Sequence, residues 1–267
     1  MPDNLHTDFS TLPALTGMPP ILLGEMDGIK LMNRIDTKYL TNEAVLRDIL
    51  GDAFRAGYRA LVADGARVSP YDSLYFDTAA LKMFLDHHNR RLTRQKIRTR
   101  VYCGSGDTFL EVKRKNNKGR TKKKRLQLAP ELFGDFTEDP AACSWLAEKS
   151  AFTAAELSPS LETIFRRITL VNPAMTERLT VDTALRFRNP RTGREASLGD
   201  AVIIELKQDG RAMSPMKGIL LDRRVKPVRI SKYCIGITLT DRAVKSNRFK
   251  AKIRTIQKTI HSNITVI

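Results

Sequence analysis

Two neighbouring segments of this 267-residue chain, 96–102 (KIRTRVY) and 109–115 (FLEVKRK), alternate charged with apolar residues at a period of two. Successive side chains of a β-strand point to opposite faces. Lys96, Arg98 and Arg100 therefore share one face, and Ile97, Thr99 and Val101 the other; Glu111, Lys113 and Lys115 align in the same way. Cations packed side by side on one sheet face repel each other unless a polyanion lies against them. Such strands must cover their apolar face with helices and turn the cationic face toward an anion. An open sheet turns that face to water, whereas a closed barrel holds it around a ligand.

The charge is local. The chain carries 46 Lys and Arg against 29 Asp and Glu, a formal charge of +17, and fifteen of the basic residues fall between Arg90 and Arg125 with only Asp107 and Glu111 as acids. Residues 131–162 lean the other way, with seven acids and one lysine. Cys103, Cys143 and Cys234 are odd in number and widely spaced, which excludes a disulfide framework and a thiolate zinc site. No basic segment leads into a long apolar run at the start, and no stretch is apolar enough for a membrane span, so a cytoplasmic protein without a transmembrane segment is expected. Nucleic acid is a poor fit as partner, because neither a stacking-aromatic motif nor a helix-turn-helix pattern is present.

Periodicity and turn signals predict a single α+β domain. Residues 1–20, with four prolines, read as a flexible segment, followed by a short helix or turn over 21–31. Strands are expected at 32–41, 58–63, 71–77, 94–103, 107–115, 120–128, 161–171, 177–188 and 200–207. Helices are expected after Asn42, after Thr78, over 138–149 with Trp145 as a packing anchor, over 213–222 and from Ser231. The tail 241–267 holds seven basic residues between Arg242 and Lys258 and apolar residues spaced as on a helix docked to the same domain. His87 and His88 end a helix, a structural position. The fold expected is an antiparallel eight-stranded tunnel β-barrel with helices inserted and packed outside.

The one-face pattern recurs: Arg34, Asp36 and Lys38; Lys123, Arg125 and Gln127; Phe165, Arg167 and Thr169, with Arg166 blurring the alternation; Arg178, Thr180 and Asp182; Ile203, Glu205 and Lys207. In this order the motifs RIDTKY (34–39), YFDT (75–78), KIRTRVY, FLEVKRK, FRR (165–167), RLTVD (178–182), IIELK (203–207) and SKY (231–233) resemble the VTC domain. That domain is the catalytic module of the vacuolar transporter chaperone polyphosphate polymerases, within the triphosphate tunnel metalloenzyme (CYTH-like) superfamily. The resemblance covers about residues 20–240. It implies that Lys38, Arg98, Arg100, Lys113, Arg167 and Arg178 are phosphate-binding catalytic cations and that Glu205 binds Mn or Mg. Lys232, beside Ser231 in the SKY motif, falls on a further phosphate contact. Arg34, Lys96, Lys115, Lys123, Arg125 and Lys207 join the substrate-binding set, and Glu111 and Asp182 either assist the metal or pair with cations.

The expected activity is therefore transfer of the ATP γ-phosphate to a polyphosphate chain, with polyphosphate, orthophosphate or pyrophosphate as the other ligands. Such chemistry needs alignment and charge stabilisation more than acid–base groups. Metal-dependent hydrolysis of a triphosphate and a non-catalytic polyphosphate-binding module are the alternatives. Many tunnel hydrolases open with Glu-x-Glu-x-Lys. Here the corresponding strand is Arg34-x-Asp36-x-Lys38, which exchanges a metal ligand for a phosphate clamp and favours transfer.

Overall fold

The computed structural model describes residues 6–26, 34–210 and 212–267. Its strands are β1 (Pro20–Ile21), β2 (Arg34–Asn42), β3 (Arg59–Leu61), β4 (Ser69–Asp77), β5 (Arg94–Tyr102), β6 (Thr108–Lys115), β7 (Thr121–Leu128), β8 (Ser158–Val171), β9 (Glu177–Arg188), β10 (Glu195–Ser197), β11 (Ala201–Asp209) and β12 (Thr265–Val266). Helices are α1 (Pro13–Thr16), α2 (Leu23–Met26), α3 (Glu43–Arg55), α4 (Lys82–His88), α5 (Pro140–Lys149), α6 (Pro215–Asp222), α7 (Lys232–Thr240) and α8 (Asn247–Ile260). The expected Met32 start of the second strand lies outside the described residues.

Eight strands pair antiparallel in the order β2-β11-β9-β8-β4-β5-β6-β7 and curl into a half-barrel. This is the α+β tunnel fold anticipated from the alternation, with helices on the outside. The rim between β2 and β7 is open: among the described residues the two share no backbone pairing. The free edge of β2 is taken instead by a loop, whose Val228 N–H donates to the Lys38 carbonyl at 2.7 Å while Pro227 bridges Tyr39.

Outward-facing residues build two aliphatic layers. Tyr39, Ile168, Leu170, Leu179, Val181, Ile204 and Leu206 pack under α1, α3 and α6; Leu74, Phe76, Ile97, Leu110 and Val112 pack under α5. Helix α3 forms where expected, because the Asn42 side chain accepts from the Val45 N–H and Leu46, Ile49, Leu50 and Ala53 recur on one buried face. Each of the three large aliphatics contributes roughly 2 kcal/mol by burial. Partly buried Trp145 packs against the α5 layer, as its anchor role requires.

Three expectations need correction. Residues 9–21 are not a loose segment: Phe9, Leu15 and Met18 are buried in the α3 layer, and Glu43 fastens the stretch by accepting from the Thr7 N–H at 2.8 Å. Pro13 opens α1 at its first position and Pro20 lies in β1, so neither prevents docking. Helix α4 starts at Lys82, four residues after Thr78, because Asp77 is the better cap. Its buried carboxylate accepts from the Met83 and Phe84 N–H groups at 2.9 Å, and Thr78 Oγ1 accepts from the Lys82 N–H. Arg166 does not blur β8: it is exposed on the outer face, and the irregularity belongs to β9.

That irregularity governs the barrel's interior. Ile164 faces Arg186 and Arg166 faces Thr183, so β9 spends three steps where β8 takes two, with Ala184 in the left-handed region at φ 50°. The extra residue flips the parity of β9. Arg178, Thr180 and Asp182 point inward before it, Leu185 and Phe187 after it. Leu40, Leu161 and Ile203 continue this apolar end of the inner face, and α7 lies on it with α8 behind, through Tyr233, Ile237, Phe249 and Ile256. No described helix is long and apolar enough to cross a membrane.

The contact of α7 with the sheet is close enough to demand glycine at one point. A Cβ on Gly236 would stand 2.4 Å from Leu161 Cδ2 and 2.7 Å from Phe187 Cδ1. Gly236→Ala should therefore cost about 1–3 kcal/mol in denaturant unfolding by overpacking, and an unchanged midpoint would refute this seating of the helix.

Candidate active site

The charged half of the inner face surrounds a cavity of about 720 Å³. Lining it are twelve Lys or Arg side chains and six carboxylates. The cavity brings together all the predicted site residues except Lys115, which sits half-buried at the end of β6, one step beyond it. A smaller cavity of about 180 Å³ lies on the far side of β8, against Phe165 and Arg166.

Cross-strand register explains the convergence. Along β11, Glu205 lies between Lys38 and Thr180, and Lys207 between Asp36 and Arg178. Along β6, Glu111 lies between Arg98 and Arg125, and Lys113 between Lys96 and Lys123. Arg167 faces Asp182 across β8 and β9. Each inward strand position thus meets its counterparts on both neighbours, which is how distant motifs become one site.

Three carboxylates each hold two cations. Asp182 receives Arg167 through a two-bond fork at 2.6 and 2.9 Å and also Lys232. Glu111 binds Arg98 at 2.6 Å and Lys123. Glu205 binds Lys38 at 2.9 Å and Lys207 at 3.2 Å. Burial alone would raise all three carboxyls. The cations outweigh it and hold each well below the usual carboxylate range: Arg98, Arg100 and Lys123 at Glu111, Arg167 and Lys232 at Asp182, Lys207, Lys38 and Lys113 at Glu205. At the rim, Arg34 forks onto Asp36 at 2.6 and 3.1 Å.

Five lining cations, Lys96, Arg100, Lys113, Arg125 and Arg178, form no ion pair among the described residues. Lys96 donates to Ser231 Oγ at 2.8 Å and Arg100 to Ser73 Oγ at 2.9 Å. Arg178 Nε is buried without a hydrogen-bond partner among the described residues. Burial, reinforced by neighbouring cations, lowers the proton affinity of Arg100, Lys113 and Arg178, and pushes Lys207 down to about 8. Lys113 is exposed, but toward the cavity it lines. The interior is thus short of negative charge.

The alternation also held a second layer that the motif reading missed. Tyr71, Ser73 and Tyr75 share the inward parity of β4. Tyr71 stacks on Phe165 at 5.4 Å, and Arg167 lies over both rings at 4.8 and 5.2 Å. Lys232 Nζ is 3.2 Å from the Phe165 ring centre, Arg98 donates to the Tyr75 hydroxyl at 2.9 Å, and Arg125 covers Phe109 at 4.7 Å. These rings fix the long cationic side chains in place. Their signal was the period-two run at 71, 73 and 75. Buried Asp77, in the YFDT motif, is a linchpin outside the cavity: it accepts from Tyr233 Oη and caps α4. His87 and His88 lie outside the cavity, and His88 Nε2 is 2.7 Å from Asn247 Oδ1, joining α4 to α8.

No group of three or more His, Cys, Asp or Glu that could hold a metal is gathered among the described residues. Mg-type ions keep mostly water and phosphate oxygens as ligands, so one carboxylate suits them. Glu205, the acid central to the row Lys38–Glu205–Thr180, fits that requirement.

Asp182 is 4 % exposed and its removal would leave two half-buried cations, Arg167 and Lys232, unpaired. Asp182→Asn should therefore destabilise the fold by about 3 kcal/mol or more. Its folded pKa lies below the unfolded value near ~4, so this stabilisation is complete above that pH and is lost as pH falls through the folded value. Denaturant midpoints measured across pH should converge for wild type and variant under strong acid; a constant gap would contradict the pairing.

The VTC domain profile matches residues 33–240. Similar solved structures include a candidate adenylyl cyclase from Hippeastrum described as having a dominant triphosphatase activity (16% identity, TM-score 0.46, 77% of this chain and 95% of that one). Two others are a candidate adenylate cyclase from Bacillus halodurans (13%, 0.49, 82% and 100%) and the PH1819 protein from Pyrococcus horikoshii OT3 (12%, 0.44, 75% and 95%). No curated protein is a significant match to the sequence.

Proposed function

We propose, since this chain belongs to the VTC domain family, that its tunnel transfers the γ-phosphate of ATP to the terminal phosphate of a polyphosphate chain. The coarser property, a triphosphate tunnel that handles phosphoryl groups, comes with the family. The observation that carries the finer reading is the set of lining cations without carboxylate partners, Arg100, Lys113 and Arg178 above all. A linear polyanion supplies the negative charge that the interior lacks, and one of its oxygens would satisfy the buried Arg178 Nε.

In the reaction the bond from the γ-phosphorus to the β–γ bridging oxygen breaks, a bond to the acceptor's terminal oxygen forms, and ADP leaves. That acceptor oxygen is already anionic, so no general base is required. Charge spreads over the equatorial oxygens in the loose transition state, where planar guanidinium forks and lysine ammoniums stabilise it. Arg98, Arg167 and Lys232 are held by Glu111, Asp182 and the aromatic floor, so little reorganisation is needed when the phosphates arrive. Glu205 would hold a divalent metal such as Mn or Mg, which would supply positive charge toward the phosphates. Arg34, standing where many tunnel hydrolases carry the first carboxylate of Glu-x-Glu-x-Lys, supports transfer over hydrolysis by putting a phosphate-binding cation in place of a metal ligand.

Incubation with ATP, Mn and a polyphosphate primer should lengthen the primer, as resolved on a gel, and Glu205→Gln should reduce that rate by about 100-fold. Orthophosphate release without lengthening would replace transfer by hydrolysis. Tight binding without turnover would leave a polyphosphate-binding module.

A further inference from the structure

We infer that the tunnel continues past its cavity as a cationic track, running between the end of the β5–β6 pair and α8, and that this track binds the distal part of a long polyphosphate chain. The inference rests on the polyphosphate reading above and adds a route and a second binding segment to it.

The two halves of the inner face end differently. On β2, β11, β9 and β8 the charged residues give way to Leu40, Ile203, Leu185, Phe187 and Leu161, and α7 covers that end. On β5 and β6 the inward charges do not stop. Lys96 faces Lys113, and one step further Arg94 faces Lys115 at the last rung of the pair. Lys96 touches the N-terminal end of α7 through Ser231 Oγ, so this row passes beside the apolar plug and not beneath it. The structure thus leaves a chain one charged way past α7.

Beyond that rung the cations continue on other elements. Exposed Arg229 stands two residues before Ser231, the partner of Lys96, and Lys252 of α8 lies 5.5 Å from the ring centre of Phe249, which packs on Phe84 and His88 of α4. Arg94, Lys96, Lys113 and Lys252 all bear on the His87 imidazole, whose pKa burial first and then these four charges push down to about 2. Lys252 is in turn depressed by burial and by the charges of Arg90 and Arg229. Arg94, Lys96, Lys113, Lys115, Arg229 and Lys252 form no ion pair with a carboxylate among the described residues. Such a row continuous with the cavity suits a flexible polyanion whose repeating charge recurs along its whole length. A short triphosphate, contained by the cavity, does not reach it.

The test compares binding of tripolyphosphate with binding of a polyphosphate of about 100 units, by titration calorimetry in a salt series centred on about 0.15 M, on the wild type and on Arg94→Glu/Arg229→Glu. The long chain should bind the wild type more tightly. The double variant should lose about tenfold or more of that affinity, with a shallower salt dependence, while its tripolyphosphate affinity stays within about twofold. Lys252→Gln, a milder change, should weaken long-chain binding in the same direction, and circular dichroism melting identifies any variant that fails to fold. Unchanged long-chain binding by folded variants, or equal loss of both ligands, overturns the track and leaves the tunnel reading standing. Wild type that binds neither ligand overturns the tunnel reading and the track with it. A single-stranded oligonucleotide of equal charge that displaces the long chain as well as polyphosphate does would reassign the track to nucleic acid.

Discussion

Repulsion among crowded like charges is the constraint around which this protein is organised. A dozen basic side chains line one cavity, and the buried or half-buried ones, Arg100, Arg98, Arg167 and Lys232 among them, lose solvation there. Glu111, Asp182 and Glu205 meet the problem by serving two cations apiece, which is why each remains ionised far below its ordinary range despite burial. The compensation is deliberately incomplete in the physical sense that cations still outnumber acids. The same excess of cations that repel one another makes the interior attractive to an anion, so folding and ligand affinity draw on one electrostatic imbalance.

Aromatic rings manage the geometry of those charges. Lysine and arginine side chains are long and rotamer-rich, and fixing them costs entropy. Phe165 and Tyr71 restrain Arg167, while Phe165 also seats Lys232. Pairing to a carboxylate on one side and to a ring on the other leaves little conformational freedom to lose on binding. Among the described residues Arg178 and Lys113 have neither kind of restraint, and they are the groups in which a ligand would cause the largest change.

Most of the cavity was legible because strand parity is strictly two-fold: once Arg98 and Arg100 share a face, their neighbours' faces follow from register. Asn42 and Ser231 were legible as caps for the same reason that a side-chain oxygen before an apolar run is informative. Parity also marks where legibility ended. The bulge at Ala184 turns Leu185 and Phe187 inward, and nothing in a run such as Thr183-Ala184-Leu185 announces a left-handed residue. The docking of Phe9, Leu15 and Met18 was hidden because it depends on tertiary contacts with α3 that no local pattern encodes. Lys115 was placed on the correct face but beyond the cavity, since parity gives direction and not depth.

Helix α7 joins these themes. Its first turn supplies Lys232 to Asp182 and Ser231 to Lys96, its Tyr233 hydroxyl reaches Asp77, and Gly236 lets its middle approach the sheet directly. Asp77 simultaneously caps α4, so α4, α7 and the cavity wall are tied through one buried carboxylate, whose own ionisation is opposed by burial and supported by four donors. A helix that merely plugged the apolar end of the half-barrel would need none of these polar contacts. Their presence at the boundary between the apolar and charged halves means that the position of the plug sets the position of Lys232, and through the Asp182 bridge that of Arg167. Packing in the sequestered half of the barrel is thereby converted into the spacing of cations in the other half.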